Sequence, residues 1–188
     1  FANGQWHGQG EWHGSNGEVY IGGFENGLFD GRGTLTTRDS TYTGGFKKGL
    51  REGEGTLKEG GMTYRGGFHA DRYAGLGRLE QADGSQYQGA FANGKANGQG
   101  QRSDASGNQF SGHFVNGQLE GQGLFVSAEG DQYVGAFKHN QLHGKGRYEN
   151  ADGDVWIGQF REGALNGPGE LIGADGSHYR GQFSDWRF

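Results

Sequence analysis

Aromatic residues recur along this chain at intervals of 22 or 23 residues, in two parallel columns. The first column reads Tyr20, Tyr42, Tyr64, Tyr87, Phe110, Tyr133, Trp156 and Tyr179. The second reads Phe1, Phe24, Phe46, Phe68, Phe91, Phe114, Phe137, Phe160 and Phe183. A period of this length belongs to arrays of one supersecondary unit, each copy burying its apolar face against its neighbours. The unit is Y-x-G-x-F-x-x-G-x-x-x-G-x-G, and Tyr87, Gly89, Phe91, Gly94, Gly98 and Gly100 are a clean copy.

Inside the unit the spacing has period two, the signature of a strand. Tyr20, Gly22 and Phe24 share one face, and so do Phe29, Gly31, Gly33 and Leu35. Asn26-Gly27 lies between the two runs, and Asn-Gly is the strongest signal for a two-residue type I′ hairpin. Folding there is expected to set Phe24 opposite Phe29, Gly22 opposite Gly31 and Tyr20 opposite Gly33. The 23-residue copies end in a three-residue turn closed by Gly, as in Ser15-Asn16-Gly17 and Ala151-Asp152-Gly153. That composition calls for a type I turn with a left-handed Gly bulge. The two 22-residue copies have one residue less, so Arg38-Asp39 and Gly60-Gly61 are expected to form two-residue turns. Trp12 then faces Tyr20, Leu35 faces Tyr42, Phe24 faces Gly8, and Phe46 faces Gly31.

This register gives a reason for the 43 glycines among 188 residues, a share well above the usual roughly 7%. A Gly across from each ring lets the ring lie over backbone within a single sheet. Gly121 is expected to sit beneath rings for this reason. Collagen is excluded, since Gly does not recur every third residue and Pro168 is the only proline. Disorder is disfavoured by 25 aromatic side chains (4 Trp, 8 Tyr, 13 Phe). The fold class is therefore all-β: an elongated, twisted, single-layer antiparallel sheet of tandem hairpins, read as one array over residues 1–188. The outward face carries mostly polar residues such as Arg65, Gln88, Ser111, Gln122 and Lys145.

The repeated unit resembles the MORN repeat (membrane occupation and recognition nexus), in seven full copies with partial copies at both ends. Tyr133, Gly135, Phe137, Gly144 and Gly146 match the motif directly, whereas Phe110 and Trp156 stand in place of Tyr. Asp71, Asn140 and Trp186 replace turn glycines, which leaves those turns open. The resemblance implies a twisted sheet of stacked hairpins serving as a scaffold, a membrane-associated module or a segment beside a catalytic domain. It supplies no catalytic residue to carry over.

The residues themselves offer little chemistry of catalysis. The Gly-x-Gly runs are not followed by Lys-Ser/Thr and recur in nearly every copy, so they read as structure and not as phosphate loops. Asp83, Asp152 and Asp175 occupy equivalent turn positions, which is turn chemistry. His139 and His143 flank one turn and could offer two metal ligands, where tetrahedral sites want three or four. No enzyme activity, cofactor or metal is expected. With no Cys, a disulfide framework is excluded. No apolar run approaches a transmembrane span, and no signal peptide is visible. The chain begins at Phe1 and not at Met, so it is expected to be a processed or excised piece. A cytoplasmic or peripherally membrane-associated location is favoured.

Seventeen basic against 22 acidic residues give a net charge of −5, which argues against nucleic acid. Arg51, Lys47, Lys48 and Lys58 gather in one region, which is where any weak binding of anionic lipid is expected. The leading expectation is an interaction scaffold, with a lipid-binding module or a regulatory segment of a larger enzyme as alternatives. A protein partner is expected at the fourth unit. There Ala96 and Arg102 stand on one strand where the neighbouring copies carry larger apolar groups, and the rings of Tyr87 and Phe110 flank them. Self-association is expected through the last strand, with Tyr179 and Phe183 on the edge and Trp186 and Phe188 either covering a second copy or folding back on their own edge.

Overall fold

The computed structural model describes residues 1–187; Phe188, one of the expected self-association residues, lies outside the described residues. Every regular element is a β-strand, and no helix occurs among the described residues. Contacts divide the chain into two compact units, Phe1–Lys95 and Ala96–Phe188. The first holds β1 (Gly8–His13), β2 (Val19–Glu25), β3 (Leu28–Thr36), β4 (Ser40–Lys47), β5 (Leu50–Glu59), β6 (Met62–His69), β7 (Arg72–Glu80) and β8 (Gln86–Ala92). The second holds β9 (Lys95–Ser103, from Ala96 on), β10 (Gln109–Val115), β11 (Gln118–Val126), β12 (Gln132–Lys138), β13 (Gln141–Glu149), β14 (Val155–Arg161), β15 (Ala164–Ile172) and β16 (His178–Trp186). Within each unit every strand pairs antiparallel with the next, giving one open layer of stacked hairpins.

The turns follow their residues. Asn26-Gly27 has φ of 50° and 79°, the double left-handed geometry of type I′. Two of the three positions the sequence left open keep that geometry, with Asp71 at φ 68° and Asn140 at φ 67°. Asn and Asp tolerate the left-handed region, and here their side chains add a bond that Gly cannot make. Asp71 Oδ1 accepts the Arg51 N–H at 2.8 Å while the Asp71 N–H donates back to the Arg51 carbonyl at 3.1 Å. Asn140 and Leu119 repeat the exchange at 2.8 and 3.2 Å. At the 22-residue copies the turns are two-residue as expected, with Thr37 N–H donating to the Ser40 carbonyl at 2.8 Å and Glu59 paired with Met62.

Between repeats the expected register holds: Trp12 faces Tyr20, Leu35 faces Tyr42, Gly8 faces Phe24 and Gly31 faces Phe46. Within the hairpin it holds only at the turn. Phe24 faces Phe29, but Gly22 then faces Gly33, and Tyr20 faces Leu35. The expected pairs Gly22–Gly31 and Tyr20–Gly33 are corrected because a bulge intervenes at Gly23, which advances β3 by two residues. Gly31 sits in that bulge with φ 81°, a conformation that suits Gly. Since the shift is even, every side chain keeps its face.

The bulge divides the work of the two glycines in Gly-x-Gly. The first supplies the left-handed backbone and faces a Phe ring. A Cβ there would meet nothing within 4 Å at Gly31 or Gly121, so the expectation that Gly121 clears space under a ring is corrected. The second glycine does the clearing. A Cβ on Gly33 or Gly146 would run into the Tyr20 or Tyr133 ring. The tyrosine lies diagonally over this glycine, and its hydroxyl donates to a carbonyl three residues on: Tyr20 to Gly23 at 2.9 Å, Tyr64 to Gly67 at 2.8 Å, Tyr133 to Ala136 at 2.9 Å.

The core is the aromatic face. Tyr20, Tyr64, Phe114, Leu119, Tyr133, Ala164 and Leu165 are fully buried, and no polar residue is buried among the described residues. Tyr20 stacks on Phe29 and Tyr64 on Tyr73, each at 3.8 Å between centroids. Burying each such ring contributes about 1.5–3 kcal/mol. Side chains at the hairpin ends tie successive repeats together. Asp30, Glu52, Asn97, Glu120 and Asn166 accept backbone N–H groups from the turn of the following repeat, at Lys48, Ala70, Asn116, His139 and Asp185. At the opposite edge Asn108, Asp131 and Asp154 accept from Ala128, Ala151 and Ala174.

At the end of β16 Asp185 takes the left-handed conformation of the first turn position, at φ 49°, and only Trp186 departs from the motif's turn glycine. Trp186 continues the strand, pairs with Leu165 and places its ring 6.2 Å from Phe183.

Candidate functional site

The expected partner site divides between the two units. Ala96, Arg102 and Phe110 belong to the second and Tyr87 to the first. Arg102 and Phe110 come together directly: they are paired across β9 and β10, and the guanidinium lies 4.9 Å from the Phe110 ring centroid and 5.6 Å from that of Phe114. One guanidinium N–H also reaches the Gly117 carbonyl at 3.5 Å. Burial lowers the Arg102 pKa, with Asp104 opposing; a guanidinium stays charged regardless. Arg102 thus fills the place of an apolar side chain by stacking its flat cation on rings. Ala96, half-buried, gives its carbonyl to the Gly117 N–H at 2.8 Å. Tyr87 is buried and donates to the Ala90 carbonyl at 2.9 Å.

Arg51 explains the pattern, because it too stands where most other copies carry a larger apolar side chain, such as Phe29 and Tyr73. Its guanidinium lies over Tyr42 and Phe68 at 5.7 and 5.1 Å, and it donates to the Asp71 carboxylate at 3.1 Å and carbonyl at 2.8 Å. One of the four cations that gather around residues 47–58 is therefore committed to the aromatic face, while Lys47, Lys48 and Lys58 are exposed.

Of the expected self-association residues, Tyr179 and Trp186 are about half exposed and Phe183 is buried. His139 is held by Gln118 and Glu120, each at 3.0 Å from its Nδ1. Among the described residues no three His, Cys, Asp or Glu side chains gather as a metal site. No helix among them is long and apolar enough to cross a membrane.

The outward face holds a feature that reading it as generally polar missed. In the first unit a groove of about 620 Å³ is lined by Arg32, Glu54, Thr56, Arg65 and Arg78, with Leu76 beside them. The available signal was the identity of the residue between the two glycines, which is Arg32, Glu54 and Leu76 in successive copies.

The family profile described as MORN repeat matches residues 1–19, 20–41, 42–58, 64–86, 87–109, 110–132, 133–155 and 156–178. The chain belongs to the MORN-repeat family. MORN repeats are interaction repeats, for proteins or membranes. Among curated proteins no relative of this MORN chain was found. Among solved structures, the MORN array is similar to the TCP domain of SAS-4 (dCPAP), in complex with a proline-rich motif of Ana2 (dSTIL), from Drosophila melanogaster. That match has a TM-score of 0.51 at 8% identity and covers 93% of this chain and 90% of that one. At such identity the likeness is one of fold.

Proposed function

We propose that this protein is a non-catalytic scaffold whose MORN array binds other proteins and pairs with a second copy of itself. The observation that carries the reading is the tandem run of eight family matches, in which the side chains of motif positions serve the packing of the repeats. The similar fold that holds a proline-rich motif supports a protein partner.

Self-association is assigned to β16, which pairs with β15 on one side and exposes the rings of Tyr179 and Trp186. Two such edges meeting about a two-fold axis would pair backbone with backbone. Light scattering on the intact chain and on one ending at Gly176 tests this. The expected result is a dimer that becomes monomeric on truncation while circular dichroism shows the remaining sheet intact. A monomeric intact chain at high concentration would refute the dimer.

A second contact is proposed around Arg102, Ala96 and Phe110 of the second unit. With a bound partner in hand, Arg102→Leu is expected to weaken binding about tenfold, since a partly desolvated cation–π contact contributes about 1–2 kcal/mol. Unchanged affinity would remove Arg102 from the interface.

A further inference from the structure

We propose that the outward face of the first unit docks an extended acidic peptide segment of a partner protein, at Arg32 and Arg65. The inference rests on the protein-interaction reading above and adds a surface and a ligand chemistry to it. Two rows of side chains cross this face. One runs Thr34, Thr43, Thr56, Arg65, Arg78 and Gln88, each paired with the next across a strand boundary. The other is Arg32, Glu54 and Leu76, whose partners across the next strand boundary are Gly45, Gly67 and Ala90. With glycine or alanine at alternate places, the second row borders a trough whose floor is largely backbone.

The charges in the trough are left uncompensated. Arg65 lies directly opposite Arg78, and like charges so placed destabilise a sheet. Arg78 is neutralised by Glu80 at 2.8 Å and donates to Gln86 at 2.9 Å. Arg32, Glu54 and Arg65 are exposed and form no ion pair among the described residues. The face therefore presents plus, minus, plus over strands β3, β5 and β6, with hydroxyls of Thr34, Thr43 and Thr56 between. Three strand spacings separate Arg32 from Arg65, roughly 15 Å, which an extended chain covers in about four residues. A segment with two carboxylates at that separation and a cation midway complements the pattern. A flat anionic bilayer complements it poorly, because Glu54 lies between the two arginines and is repelled as they are attracted.

The test is fluorescence anisotropy at low salt with a labelled peptide carrying two glutamates about four residues apart and a lysine between them. The intact protein is expected to bind it, and R32A/R65A to bind about tenfold more weakly, as two exposed pairs imply. R65E is expected to favour the peptide in which lysine replaces the glutamates. The variants should unfold on heating no earlier than the parent, since Arg32 and Arg65 are exposed and form no ion pair among the described residues. Equal binding by parent and double variant, or equal binding of glutamate and lysine peptides, would overturn the proposal. So would sedimentation with phosphatidylserine vesicles that requires Arg32 and Arg65 when the peptide fails to bind, an outcome that assigns the face to membranes. If the peptide fails while the intact chain still dimerises through β16, the groove is refuted and the scaffold reading stands.

Discussion

Replacing Gly146 with Ala is expected to be among the most damaging single-methyl changes in this protein. The added carbon would enter the ring of Tyr133. That ring has nowhere to withdraw. Tyr133 is fully buried, meets Phe137 and Phe160 edge-on at 5.2 and 4.9 Å, and is anchored by its hydroxyl to the Ala136 carbonyl. Strand separation cannot relieve the clash either, because Gly146 faces Gly135, where a Cβ would come 2.6 Å from the Gly146 Cα. Overpacking of this kind costs about 3 kcal/mol at the upper end of the usual range, or a fall of about 6–12 °C in Tm for a chain of this size. Gly121→Ala should cost less, about 1–2 kcal/mol, since its penalty is left-handed backbone alone. Lys145→Ala, between two glycines on the exposed face, should be within about 0.5 kcal/mol of the parent. Thermal unfolding followed by circular dichroism ranks the three. Equal costs at Gly146 and Gly121 would mean that backbone conformation, and not ring clearance, sets the need for both glycines.

That contrast marks where the sequence was legible. Period-two spacing and the Asn26-Gly27 turn suffice for strands, faces and hairpin order, because side-chain alternation and type I′ geometry are local. The pairing of Tyr20 was not legible. A bulge at Gly23 moves the partner strand by an even number of residues, so the face pattern looks the same with or without it. Gly31 and Gly33 are both glycine, and nothing in their names separates a backbone role from a clearance role. Asp71 and Asn140 looked like departures from the turn motif, yet their side chains close a reciprocal bond with the preceding repeat that only the fold brings into reach. The groove at Arg32 and Arg65 was hidden for a related reason. The two residues lie three strand spacings apart, and their shared lack of an ionic partner is a property of the assembled sheet.

Raising the pH is expected to unfold the array in a steep transition between about pH 10 and 12. Burial pushes Tyr42, Tyr64 and Tyr133 up to about 12. Tyr20, Tyr73 and Tyr87 are raised by burial as well. Tyr148 is raised by burial and then by donating its hydroxyl to the Asp131 carboxylate, which would repel a phenolate. In the unfolded chain a tyrosine loses its proton near pH 10. The folded sheet holds the proton to higher pH, so the folded state binds more protons across this window and stability falls as pH rises. Below pH 10 both states keep the proton, and these groups contribute a constant term. Since the tyrosines recur from repeat to repeat, their losses combine, and tyrosinate absorbance should rise together with the loss of the sheet's far-ultraviolet signal. Ionisation of these tyrosines near pH 10 with the sheet intact would contradict the burial argument. Tyr133→Phe separates the two roles of the hydroxyl. At neutral pH it removes the bond to the Ala136 carbonyl and should cost about 1 kcal/mol. Above pH 10 it also removes one group that pulls the chain apart, so its deficit relative to the parent should shrink as pH rises. The natural Phe110 occupies the same column and is paired with Phe125 across the hairpin, so the sheet accepts a ring without the hydroxyl at this position.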